Sequence, residues 1–333
     1  MKTWSSCRIA LAAMMLLIPH GAAFCQVTSA PGATRVAPWK DDKKAVFMLM
    51  FDDSVPSDFK TVIPELQKRG MIGTFYVNPG SGQWKGHAQE WEKTIPSTGM
   101  VYANHTMTHK GYQDLAGADQ EIGKCTEAIL QLQPGKDPHL LSYGVPGGCP
   151  LKITKEEYQG LLTKYHLVER PDFNGHGASI HLKDADAILK VADNALATGG
   201  EGHVVFHGVG GDWLVFPADQ FVILLDGLAT RQDLWITDHI SEYKYATERS
   251  TAKVQVLGST DQQIQLSLSS SADGQLFDFP LTLITTVPAS WQNCEITQGT
   301  KTTTVAVRNN EVRFEALPGN QPITLKAVPL QVR

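Results

Sequence analysis

The 333-residue sequence predicts an α/β chain, a closed or nearly closed (β/α)7-type barrel followed by a small all-β sandwich. Two observations carry this. Between residues 45 and 245, short apolar runs alternate with longer stretches whose apolar residues recur three or four apart, the rhythm of repeated strand–helix units feeding a parallel sheet. After about residue 248 that periodicity gives way to alternating segments separated by turn residues. Length agrees, since about 150 residues per domain makes two domains the starting expectation.

In chain order, residues 1–25 read as an export signal. Lys2 and Arg8 precede or flank an apolar run from Ile9 to Ile18, and Ala23, Phe24 and Cys25 place small residues where a signal peptidase inspects them. The run is shorter than the ~20 residues of a membrane span, and bulky Phe24 speaks against acylation of Cys25, so secretion or periplasmic export of a cleaved chain is expected. Residues 26–43 are expected as a linker, 44–247 as the barrel and 248–333 as the sandwich.

Strands are predicted at Val46 to Phe51, Ile72 to Val77, Met100 to Ala103, His139 to Val145, His166 to Glu169, His203 to Phe206 and Leu234 to Ile236. Helices are predicted at Pro56 to Lys68, Asp119 to Leu132, Thr154 to Lys164, Ala185 to Ala197 and Pro217 to Thr230. The sandwich strands are predicted at Ala252 to Leu257, Gln263 to Leu268, Leu281 to Thr286, Thr302 to Arg308 and Ile323 to Ala327, with Asn309, Asn310 and Pro318, Gly319, Asn320 marking turns.

A formal net charge of -5 offers no positive field to a polyanion, which argues against nucleic acid as a partner. Beyond residue 25 the cysteines are Cys125, Cys149 and Cys294, without C-x-x-C spacing, so a thiolate zinc site is not expected. A Cys125–Cys149 bridge and three unpaired core cysteines both remain open.

Three strand ends carry chemistry. Val46 to Phe51 ends abruptly in Asp52 and Asp53, and the C-terminal strand ends of a parallel barrel form its active face. Adjacent carboxylates there disfavour each other's ionisation unless a cation offsets them; the alternative is a solvated turn before Ser54, Val55 and Pro56. His105 and His109 follow the next such strand. Their i, i+4 spacing on a helical turn lets both imidazoles reach one ion, the alternative being two solvated histidines. His207 ends a third buried-type strand; in isolation it would read as a packing histidine, and its placement like the other two elements weakens that reading.

Together Phe51-Asp52-Asp53, His105-Thr106-x-x-His109 and His207 resemble the polysaccharide deacetylase family, the NodB-homology carbohydrate esterases, over about residues 44 to 245. The resemblance implies a distorted (β/α)7-type, NodB-like barrel and a divalent metal, most often zinc, with cobalt or nickel as other options, held by Asp53, His105 and His109. It gives Asp52 the role of general base and His207 that of general acid, with Thr106 bracing the histidine loop. The implied substrate is an acetylated carbohydrate, an N-acetyl amino sugar in an oligo- or polysaccharide. An O-acetyl esterase of the acetyl-xylan type, or a catalytically idle glycan-binding protein, would keep the same motifs.

Two departures from the family pattern matter. Its Arg-x-Pro-x-Gly loop corresponds to Gly144, Val145, Pro146, Gly147 and Gly148, with glycine in the arginine's place. Arg170, at another strand end, is the expected substitute beside Asp52; otherwise it is a surface charge. Met50 replaces a common threonine and is expected to alter packing only. The Gly144 to Gly148 stretch either offers a backbone N–H to an oxyanion or is simply a tight turn. After His207, Trp213 is read as a sugar-stacking ring or a core anchor, and Asp212 as a partner for a sugar hydroxyl. Asp172 and Asp186 are possible partners for His207.

Overall fold

A computed structural model describes residues 30–172, 179 and 181–328; the expected export signal and Cys25 lie outside the described residues. Strands β1 (Thr34–Val36), β2 (Ala45–Asp52), β3 (Thr74–Val77), β4 (Val101–Asn104), β5 (Leu141–Tyr143), β6 (Leu167–Glu169), β7 (Glu201–Phe206) and β8 (Leu234–Thr237) come first in the chain. From β2 to β8 they form one parallel sheet in the order β6-β5-β4-β3-β2-β7, with β8 also on β2. Because β7 pairs along Val46 to Phe51, β8 (on residues 45 to 48 of β2) and β3 (on residues 50 to 52) must share the opposite edge. The sheet curls into a barrel in which no β6–β7 pairing occurs among the described residues; Ser179 N–H donates to Val205 C=O at 2.8 Å beside that seam.

All eight residues of β2 are buried, as expected of a strand covered on both faces. Its alternate residues serve two different cores. Phe47, Leu49 and Phe51 face the surrounding helices, whereas Met48 and Met50 pack inside the barrel with Tyr76, Ala103 and Val205. The period of two therefore delivers Asp52 to the interior. Met50 packs there, as its apolar character requires.

The helices are α1 (Ile63–Lys68), α2 (Gly82–Gly86), α3 (Leu115–Leu132), α4 (Lys155–Lys164), α5 (Ala185–Thr198), α6 (Ala218–Ala229) and α7 (His239–Thr251). Asp114, Thr154, Asp184 and Asp238 cap α3, α4, α5 and α7 with side-chain oxygens, and Thr154 forms a reciprocal capping box with Glu157. The predicted helix from Pro56 to Lys68 is instead a π-helical turn at Asp58–Val62 followed by α1. Helix α7 also runs past residue 248, so the all-β texture begins with β9.

Strands β9 (Lys253–Ser259), β10 (Gln263–Ser269), β11 (Leu281–Thr286), β12 (Asn293–Gln298), β13 (Lys301–Ala306), β14 (Glu311–Ala316) and β15 (Ile323–Ala327) form two antiparallel sheets, β13-β12-β15-β10-β9 and β1-β11-β14. Within the stretch expected as a linker, β1 is thus a strand of the second sheet, with Arg35 opposite Ile284. Cys125, Cys149 and Cys294 are free thiols, and no Cys125–Cys149 bridge forms.

Candidate active site

Asp52 and Asp53, at the end of β2, both approach His105. Asp52 points into the barrel, and Asp53, at φ 75°, turns its side chain toward the loop after β4. His105 and His109 come from that loop, which is not the helical turn their spacing suggested. Thr106 and His109 are left-handed at φ 66° and 60°, which breaks any helical repeat. Hydrogen bonds hold the loop in that shape. Asn78 donates to the carbonyls of His105 and Thr106, Asn104 Oδ1 accepts from Thr106 N–H at 2.8 Å, and Thr106 Oγ1 accepts from His109 N–H at 3.3 Å. Glu121, from α3, accepts from both Thr108 N–H and Thr108 Oγ1 at 2.8 Å. Left-handed geometry at Asp53, Ser54, Thr106 and His109 concentrates backbone strain at this site.

One carboxylate oxygen of Asp53 and one ring nitrogen each of His105 and His109 lie within 4.8 Å of one another. His105 Nε2 is 3.5 Å, and His109 Nε2 3.4 Å, from Asp53 Oδ1. His105 Nδ1 donates to the Gly144 carbonyl at 2.7 Å, which leaves the Nε2 lone pair for a ligand. Asp53 Oδ1 is buried with no hydrogen-bond partner among the described residues. One carboxylate and two imidazoles, with an orphaned acceptor at their centre, fit a divalent ion such as zinc and leave coordination positions open.

Asp52 lies beside this cluster, its Oδ2 3.7 Å from His105 Nε2. Arg170, buried at the end of β6, grips it with both arms of the guanidinium, at 2.6 and 2.9 Å. Burial works to raise the Asp52 carboxyl's pKa, but Arg170, aided by His105 and His207, overrides it and holds the pKa at about 2. The guanidinium stacks on the Tyr76 ring at 4.5 Å, and Tyr76 Oη shares a 2.8 Å hydrogen bond with Ser142 Oγ. A side chain at residue 144 would obstruct this arrangement, because a Cβ there would lie 2.7 Å from Tyr76, 3.1 Å from Arg170 Cζ and 3.2 Å from His105 Nδ1. Glycine in the family's arginine position therefore makes room for an arginine from another strand. The Gly144 N–H is spent on Asn104 C=O at 2.9 Å, so within this stretch any oxyanion donor lies after it. Pro146 is buried and has no N–H, and Gly148 is exposed at φ 69°.

His207 completes the ring of site residues from the end of β7, its Nε2 3.8 Å from Asp53 Oδ2. Its Nδ1 is buried without a hydrogen-bond partner among the described residues, and Asp186 lies exposed in the first turn of α5. Asp212 Oδ2 accepts the Ser57 N–H at 2.6 Å, so part of its carboxylate is committed to the protein. Trp213 is not a core anchor; it is 63% exposed.

The motifs gave no notice of Asn78, Tyr76 or Asp58. Asn78 directly follows β3, the same strand-end position as the other site residues, and that could have marked it. Asp58 is buried, its carboxyl pushed well above the usual range by burial first and then by Asp212, Asp52 and Asp53.

Residues 40–163 match the family model for polysaccharide deacetylases. Over this stretch the chain is similar to the polysaccharide deacetylase family. The match contains Asp52, Asp53, His105 and His109, whereas Arg170, His207 and Trp213 lie beyond it. Among curated proteins, a gellan lyase from a Bacillus species is 25% identical over 306 residues, covering 80% of this chain and 12% of that protein. The chain thus spans about an eighth of that relative's length. Among solved structures, a family 4 carbohydrate esterase from Streptomyces lividans in complex with acetate shares 22% identity at a TM-score of 0.41, covering 58% of this chain and 92% of that one. A polysaccharide deacetylase from Bacillus cereus shares 17% at 0.40, covering 59% and 92%. A pseudoenzyme of the same esterase family from Bacillus anthracis shares 14% at 0.42, covering 60% and 64%.

Proposed function

We propose that the chain is a metal-dependent hydrolase that removes acetyl groups from N-acetylated sugars within a glycan. The observation that carries this reading is the convergence of the Asp53, His105 and His109 donors beside a separate carboxylate, Asp52, held ionised by Arg170. A binding protein that held only a metal would have no use for that second carboxylate or for His207.

Asp53, His105 and His109 would hold the ion, which when bound supplies Lewis-acid polarisation of the acetyl carbonyl and acidifies water. Asp52 stays ionised across the working pH range and accepts the proton of the attacking water. The Arg170 clamp removes its freedom to rotate away. His207 approaches the cluster on the Asp53 side, where its Nε2 can protonate the sugar nitrogen as the C–N bond breaks. The water oxygen ends in acetate, and the sugar leaves as an amine. The same residues serve an ester, with a sugar oxygen as the leaving atom. The export signal read in residues 1–25 would place this chemistry outside the cytoplasm.

The test is acetate release from N-acetylchitooligosaccharides and from acetylated xylan, with and without chelator, for the wild type and Asp52→Asn. Release should stop with chelator and return with zinc. Asp52→Asn should lower it at least about 100-fold while still binding one zinc. Release indifferent to both treatments would overturn the reading, and the preferred glycan decides between amide and ester.

A further inference from the structure

Trp213 has the greatest exposure of any large apolar side chain among the described residues, and its neighbours Leu214 and Val215 are 38% and 56% exposed. Three consecutive apolar side chains in water are costly, and free loops usually relax to bury an indole. This loop is not free. Gly208 N–H donates to Trp213 C=O, Phe216 N–H to Gly208 C=O and Gly210 N–H to Phe216 C=O, at 2.7 to 2.9 Å, while Phe216 itself is buried. Asp212 ties the loop to Ser57, and Ser57 Oγ accepts the Val209 N–H at 3.1 Å.

The residues on either side of Trp213 are also strained. Asp212 and Leu214 are left-handed at φ 65° and 49°, a conformation unfavourable for leucine. Strain and exposure together hold the indole at the edge of the site, edge-on to His207 with ring centroids 5.1 Å apart and planes at 87°. Strain kept by a hydrogen-bonded loop beside reacting groups is the pattern of a preset binding surface.

We propose that Trp213, flanked by Leu214 and Val215, is a platform for the apolar face of a second pyranose ring, next to the sugar that loses its acetyl group. This rests on the deacetylase reading above. A rigid aromatic face binds a ring with little loss of side-chain freedom, leaving the sugar's hydroxyls in water. The platform adjoins His207, which faces the leaving group, so a ring stacked there belongs to the glycan chain on the leaving-group side.

The experiment compares kcat/KM of the zinc-loaded full chain on N-acetylglucosamine and on N-acetylchitopentaose. The wild type should prefer the pentamer. Trp213→Ala should shrink the pentamer-to-monomer ratio at least about tenfold, through KM, and Trp213→Tyr should retain the ratio within about threefold. An unchanged ratio in Trp213→Ala overturns the platform while leaving the deacetylase reading intact. A second readout needs no turnover: chitopentaose and acetylated xylopentaose are titrated into Asp52→Asn while tryptophan fluorescence is followed. A saturable change with either glycan that vanishes when Trp213→Ala is added supports the platform, even if the wild type releases no acetate. If neither glycan gives such a change, the platform is overturned.

Discussion

Gly144 and Arg170 show how a site can keep a charge while moving its source. The guanidinium on Asp52 arrives from β6, and it fits because residue 144 has no Cβ and because Tyr76 offers its ring face. The same glycine's carbonyl orients His105, so one residue serves both the carboxylate and an imidazole of the candidate metal site. Gly144→Ala should therefore lower kcat about tenfold or more and weaken zinc binding by about 10- to 100-fold, the range seen when a ligand's supporting contact is disturbed. Arg170→Met alone should lower kcat further and, by leaving a buried carboxylate unpaired, lower stability by about 3 to 5 kcal/mol. If glycine acts on kcat by admitting the arginine, the two losses in kcat are not additive, and Gly144→Ala costs little once Arg170→Met is present. Strictly additive kinetics in that double-mutant cycle would refute the coupling. Competition with a chromogenic chelator measures the zinc effect without reference to activity.

At the scale of elements, the buried strands were legible because an apolar run such as Val46 to Phe51 has few other readings. Asp52, Asp53, His105, His109 and His207 were legible because each follows such a strand. The shape of the histidine loop was not. Spacing suggests a helical turn, whereas the left-handed Thr106 and His109 depend on hydrogen bonds from Asn78, Asn104 and Glu121, which lie elsewhere in the chain. Helix α7 was missed for another reason: it is mostly polar, and its burial includes two glutamates, Glu242 and Glu248. Burial raises the Glu242 carboxyl to about 8, with Glu201 adding to the effect, and raises Glu248 to about 7. The folded state therefore keeps protons on these glutamates that the unfolded chain releases above about 4.5; the buried His203 and His239, lowered by burial to about 4 and 3, oppose this below about 6.5, so stability should fall as pH rises from about 6.5 to 8. Thermal melts with chelator present, so that metal binding does not contribute, should show that fall. Glu242→Gln should flatten it, and an unaltered slope in that variant would assign the dependence to other groups.

At the scale of the molecule, the barrel and the sandwich meet in an apolar cluster separate from the barrel's own cores. Trp39, Val46 and Tyr245 pack in the same cluster as Ile264, Leu266, Leu283 and Leu325. Tyr245 stacks on Trp39 with centroids 6.2 Å apart and meets Phe279 edge-on at 6.2 Å, while its hydroxyl donates to Ala37 C=O at 3.0 Å. Strand β1 binds the N-terminal segment to β11 by backbone pairing. Val46 is the second residue of β2 and Asp52 its last, so at about 3.3 Å per residue this seam lies about 20 Å from the candidate site. The sandwich's contribution here is to stability, by covering aromatic surface that would otherwise meet water. A seam packed from both parts predicts one cooperative transition. Tyr245→Ala should lower stability by about 3 to 5 kcal/mol, shifting the unfolding of helix and sheet together when both are followed by circular dichroism in urea. Zinc affinity, set at the far end of β2, should change little in the folded variant. Two separate transitions, or a loss confined to the sheet signal, would show instead that the two parts fold independently and that the aromatic seam does not couple them.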